Sequence, residues 1–175
     1  NNETAHENAE NSPEPEDLDR LLAAREREDL EFKASLRWDF RENKVNRELE
    51  RSAMKTTAAF LNSNGGRLVI GIDDAGSVQG LERDYATLHK PSADGFENHF
   101  TNVLKETIGP EFRRFLKLSF HRADDKEVCV VKIFPGTRPA YLRFGNDEIF
   151  CIRTGNSTTA LPVSKAAAYI HSRWK

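Results

Sequence analysis

Apolar positions recur along this chain with two different periods, and the alternation between them predicts most of its elements. In residues 44–61, Val45, Leu49, Ala53, Thr57 and Phe60 fall three or four apart, the spacing of the longest expected helix. Asn62 to Gly66 end it, because Asn and Gly accept the left-handed backbone of a helix terminus. In residues 29–33 the period drops to two. Leu30 and Phe32 take one side and Asp29, Glu31 and Lys33 the other, as in a half-buried strand. Leu68-Val-Ile-Gly-Ile72 is apolar throughout and reads as a strand covered on both faces.

The remaining elements follow the same logic. Residues 17–27 form a helix that starts at Asp17 and gathers Leu18, Leu21 and Leu22, whereas 36–43 carry no regular pattern. Asp74-Ala-Gly76 turns the chain towards a short strand at 78–81, and a second amphipathic helix at 96–108 stops at Gly109-Pro110. Two hairpins are expected next. One pairs 114–122 with 128–134, the other pairs 140–144 with 148–153, and a helix at 162–174 closes the chain. This order predicts an α+β fold with a mixed or mainly antiparallel sheet packed with helices.

Composition divides the chain unevenly. Its 175 residues suit one domain with a real core, and 31% are charged. The net charge of −2 conceals an acidic start, because Glu3, Glu7, Glu10, Glu14, Glu16, Asp17 and Asp19 precede any Lys or Arg. Setting these seven aside leaves 21 acidic against 26 basic residues, or +5, a balance permissive for nucleic acid. Residues 1–16 read as a disordered acidic linker and 17–175 as the folded domain. No run approaches the roughly 20 apolar residues that span a bilayer, and no signal peptide is visible, so no membrane contact is expected of this fragment. Since the chain opens on Asn1, it reads as part of a longer protein. Cys129 and Cys151 lie in apolar runs without a CxxC pair, which predicts free buried thiols and a reducing, cytoplasmic setting.

Candidate chemistry centres on acids. Glu31 and Lys33, two apart on a strand, share a face, and a carboxylate beside a lysine suits a metal and a scissile phosphate. The same pair equally suits a solvated ion pair. Asp74 follows the apolar strand, although Asp73-Asp74-Ala-Gly is also ordinary turn chemistry. Lys44, Arg47, Arg51 and Lys55 make a basic stripe along the long helix, fit for phosphates or simply for water. The run from Arg153 to Thr158, with Asn156, offers an anion-binding turn, and Arg138, Tyr141 and Arg143 precede it. No phosphate-loop motif, His/Cys zinc spacing or nucleophile with a base is present.

Leu30-Glu-Phe-Lys33, Ala58-Ala-Phe-Leu-Asn62, Gly65-Gly66, Leu68-Val-Ile-Gly-Ile-Asp-Asp74, Gly76, Gly80-Leu81 and the later Phe150-Cys-Ile-Arg-Thr-Gly-Asn-Ser-Thr158 resemble the AlbA-like (AlbA_2) domain of the Schlafen family from about residue 26 to 174. The resemblance implies a metal-dependent endoribonuclease acting on structured RNA such as tRNA. Glu26, Glu31 and Asp74 would be the catalytic Mg²⁺ or Mn²⁺ ligands, with Glu28 as an alternative and Lys33 beside them. Lys44, Arg47, Arg51, Lys55, Arg153 and Asn156 would contact nucleic acid, RNA in preference to DNA. Animal nucleases of this family clamp RNA between two lobes, so a single lobe implies a homodimer. The alternatives are a non-catalytic nucleic-acid-binding regulatory module and a dimerising scaffold within a larger protein.

Overall fold

A computed structural model describes residues 15–175. The acidic linker expected at 1–16 therefore lies outside the described residues, except that Pro15 and Glu16 begin the first helix, α1 (Pro15–Ala23). A four-stranded sheet organises the rest, in the order β1 (Leu30–Lys33), β4 (Gly66–Ile70), β6 (Lys126–Ile133), β5 (Leu116–Ala123). β1 and β4 run parallel, and the other pairs are antiparallel, so the sheet is mixed.

The two-residue period decides which side chains meet which helices. On one face Leu68, Ile70, Cys129, Val131 and Ile133 pack against α2 (Arg47–Leu61) and α4 (Ala93–Thr107), whose Met54, Phe60, Phe96, Phe100 and Leu104 are fully buried. On the other face Leu30, Phe32, Val69, Val128 and Val130 meet Leu18 and Leu21 of α1. Register places Glu31 opposite Leu68 and Lys33 opposite Ile70, so both rise at the sheet edge on the α2 side.

Several elements differ from their expected form. The long helix begins at Arg47 because the Asn46 side chain accepts the Glu48 N–H at 3.0 Å and caps it. Residues 38–45 are not irregular. Trp38–Asp39 (β2) pairs with Lys44–Val45 (β3) around Asn43 at φ 50°. The strand expected at 78–81 is one bridge, Ile72 to Val78, followed by the short helix α3 (Glu82–Ala86). The second hairpin divides at buried Phe150. β7 (Leu142–Phe144) pairs with β8 (Asp147–Ile149), whereas β9 (Cys151–Thr154) pairs with β10 (Ser157–Ala160). The closing helix α5 (Val163–Arg173) joins Tyr141, Phe150 and Trp174 in an aromatic cluster through Tyr169. Both cysteines are free and buried, and burial raises each thiol pKa. No helix among the described residues is long and apolar enough to cross a membrane.

The turn after α2 joins the two halves of the domain. Buried Asn62 donates to the Ala140 and Cys151 carbonyls at 2.8 and 2.9 Å and accepts the Ala140 N–H at 2.8 Å. Tyr169 donates to the Asn62 carbonyl and Arg173 to that of Ser63. Gly65 follows at φ 73°, and a Cβ there would collide with the Ile133 carbonyl. At Gly66 it would come within 2.6 Å of the Phe60 ring. The Gly-Gly pair is thus a packing device. Gly65→Ala is expected to cost about 3 kcal/mol, combining left-handed strain with overpacking, as read by chemical denaturation.

Candidate functional site

Two of the three expected acids meet at the free edge of β1. Glu26 lies just before that strand, and its Oε1 accepts the Phe32 N–H at 3.0 Å, on the side of β1 that faces away from β4. This bond fixes the carboxylate and leaves Oε2 for the adjoining hollow. Asp74 arrives from the turn after β4. Its neighbour Asp73 is consumed by that turn, accepting the Ala75 and Ser77 N–H groups at 3.0 and 2.8 Å and the Gln79 amide at 2.9 Å. Exposed Asp74 is left to border the hollow. Glu26, Asp74, Arg25 and Asn156 line one cavity of about 550 Å³, walled also by Phe32 and the last residues of α1. Asn156 reaches it from the β9–β10 turn. Asp74 also borders a second hollow of about 600 Å³ with Trp38 and Phe40.

Glu31 is employed differently. Its Oε2 accepts from Arg153 Nη1 at 3.1 Å, and its Oε1 lies 3.3 Å from Lys33 Nζ. Two cations therefore neutralise the carboxylate. Among the described residues no group of three His, Cys, Asp or Glu side chains is arranged to hold a metal ion. Glu28, the alternative ligand, is exposed and borders a separate hollow with Arg153 and Ser63.

Arg153 is not a surface anion contact in this structure. Its side chain is 1% exposed and stacks over the Phe60 ring at 4.8 Å. It also donates to the carbonyls of Arg27 and Glu28, at 2.8 and 3.2 Å, and to Thr158 Oγ1 at 3.3 Å. Each guanidinium nitrogen makes at least one of these bonds, four in all from five N–H donors. It fastens β9 to the loop that carries Glu26.

The basic stripe is only partly a stripe. Lys44 is exposed on β3 rather than on the helix, and Arg47 is exposed at the first position of α2. Arg51 and Lys55 are half-buried. Arg51 lies over the Phe144 ring at 5.3 Å and 3.8 Å from Asp147, and Lys55 is close enough to Cys151 to oppose the rise in its thiol pKa. Of Arg138, Tyr141 and Arg143, Tyr141 joins the aromatic cluster and Arg143 pairs with Glu148 at 2.7 Å.

Sequence reasoning missed Asp84, which shapes the loop bordering the second hollow. Its buried carboxylate accepts the N–H groups of Leu36, Arg37 and Trp38 at 2.7, 3.0 and 2.9 Å. These partners lie 46 to 48 residues away, so no local signal marks it.

Comparison with known proteins bears on this geometry. The sequence profile of the family described as Schlafen, AlbA_2 matches residues 26–162. Among solved structures, the DIP2311 protein of Corynebacterium diphtheriae is similar at 17% identity and a TM-score of 0.59. The similarity covers 90% of this chain but 32% of that one, so the chain spans about a third of its neighbour. The N-terminal domain of a RecG-related protein of Nitrosomonas europaea, named provisionally as an ATP-dependent DNA helicase, is 21% identical at a TM-score of 0.51. There the similarity covers 78% of this chain and 84% of the other. At these identities both likenesses speak for the fold. No curated protein matches the chain.

Proposed function

Because the chain belongs to the Schlafen AlbA_2 family, we propose that it is a nucleic-acid-contacting domain whose preferred partner is structured RNA such as tRNA, and that it cleaves this RNA with the help of Mg²⁺ or Mn²⁺. The observation that carries this reading is the cavity shared by Glu26 and Asp74. Hard divalent cations take oxygen ligands, and Mg²⁺ commonly uses one or two carboxylates while keeping several waters. Two carboxylates in an open, polar hollow fit that requirement, so Glu26 and Asp74 would hold the ion. When bound, it would polarise a phosphoryl oxygen and make water a better nucleophile.

The chain's own residues do the positioning. The Phe32 N–H fixes the Glu26 carboxylate, Asn156 offers an amide to a phosphate oxygen, and Arg25 offsets negative charge at the cavity rim. Lys44, exposed on β3, and Arg47, exposed at the first position of α2, extend the contact with the backbone. A single lobe supplies one wall of the clamp, so the RNA-contacting form is a homodimer. The name of the N. europaea neighbour keeps DNA as the alternative partner.

One observation favours a second reading, a non-catalytic regulatory module: Glu31 is neutralised by Arg153 and Lys33. Incubating end-labelled tRNA with Mn²⁺, beside an EDTA control, separates the two. Metal-dependent cutting should fall about 100-fold in Asp74→Ala and Glu26→Gln while RNA binding persists. Salt-sensitive binding without cutting would establish the regulatory module. Absence of both would leave the dimerising scaffold.

A further inference from the structure

The sheet face covered by α1 carries a concentration of positive charge that the site above does not use. Strand register sets Arg67 of β4 opposite Lys132 of β6, and Lys132 opposite Lys117 of β5. All three stand on the face of Val69 and Val130, and all are half-buried. Cations directly opposite one another on neighbouring strands repel, and the repulsion is greater where water is partly excluded. No ion pair to Arg67, Lys117 or Lys132 occurs among the described residues. At the β4 end of the row, Arg20 and Arg27 join Arg67 around a cavity of about 330 Å³, with Leu21 as its apolar wall. Asp29 pairs with Arg27 at 2.5 Å on an exposed flank and offsets part of this charge, whereas Arg20 and Arg67 make no ion pair among the described residues, which leaves the cavity cationic. The Nε of Arg67 is buried without a hydrogen-bond acceptor among the described residues. A buried guanidinium N–H without a partner, inside a ring of like charges, calls for an anion with several acceptor oxygens.

We propose that the Arg20–Arg27–Arg67 cavity binds a phosphate group, and that Lys132 and Lys117 continue the contact along a nucleic-acid backbone. The backbone part rests on the functional reading above; the phosphate cavity does not. Strands lie ~4.8 Å apart, so the row spans ~10 Å, the axial length of about three phosphates of one strand at ~3.4 Å each. The contact reads charge and spacing rather than sequence.

Two measurements on the whole chain test this. Inorganic phosphate at about ten times its Kd should raise the melting temperature by roughly 3–5 °C. Arg67→Gln should abolish that rise while melting no lower than wild type in phosphate-free buffer, because it removes repulsion rather than a partner. An arginine with a merely structural role would lower the phosphate-free melting temperature. For a short labelled RNA duplex, Lys132→Gln and Lys117→Gln should each reduce the slope of log K against log salt by about 1. Loss of the phosphate response in Arg67→Gln, in a domain that binds no RNA, would keep the phosphate cavity and overturn the functional reading. Unchanged phosphate response and unchanged salt slopes in these variants, with wild type binding RNA, would overturn this inference alone.

Discussion

Arg153→Met is expected to cost the domain about 3–4 kcal/mol in urea denaturation, near the range for removing one member of a buried ion pair. The guanidinium is 1% exposed and Glu31 is 13% exposed, so water cannot replace what is lost. Glu31 would keep Lys33 at 3.3 Å and the Arg27 carbonyl would keep the Leu30 N–H at 3.2 Å, which moderates the cost, but the Glu28 carbonyl would lose the Arg153 donor. Adding Glu31→Leu should recover at least half of the loss, since an apolar pair of similar volume often replaces a buried ion pair at little cost. A double-mutant cycle over the two positions should give a coupling of about 2 kcal/mol. If Arg153→Met left stability within about 0.5 kcal/mol of wild type, as surface substitutions usually do, Arg153 would not be the clamp described.

Asp84→Ala ranks next, at about 3 kcal/mol. It would orphan three backbone N–H groups, each worth about 1–3 kcal/mol when fully buried, and two of the three are only partly so. Asp84→Asn should be nearly as harmful, because its amide NH₂ would face at least one backbone donor. The pH dependence identifies the residue further. Burial raises the Asp84 pKa above the ordinary 3.8, outweighing the lowering effect of its three hydrogen bonds. The folded state then holds a proton more readily than the unfolded chain. Its contribution to stability therefore falls as pH rises from about 3.8 through the folded-state value, the reverse of a carboxylate with a depressed pKa. The difference in denaturation midpoint between wild type and Asp84→Asn, followed from pH 3 to 7, should show this slope.

How much of this was legible depended on how far each residue's partners lie along the chain. Leu30 and Phe32 announce their face because burial on a strand edge imposes alternation within four residues. The Gly65-Gly66 pair and the end of α2 are equally local, and the turn chemistry of Asp73 completes itself within six residues. The family resemblance brought Glu26 and Asp74 into one argument before any geometry did. Arg153 is misplaced because all its acceptors but Thr158 lie 122 to 126 residues upstream, and an Arg-Thr-Gly-Asn run looks like any exposed turn. The basic stripe misled for a related reason. Helical spacing shows which residues share a face but not that hairpins cover half of it. The cation row was invisible too, because Arg67, Lys117 and Lys132 become neighbours only through strand register.

The Asn62 turn carries a consequence for the order of events during synthesis. The acids of the cavity leave the ribosome early, in the first half of the chain, yet Asn156 and the segments that latch onto Asn62 and Ser63 come last. A nascent chain that has emerged only as far as β6 could pair its central strands, with the turn's amide and carbonyl groups still hydrated and the hollow open on one side. Closure of the hollow waits for Asn156 on the β9–β10 turn, so the domain carries no finished site until that hairpin has formed. Any activity built on that cavity is thereby tied to the last strand pair of the domain.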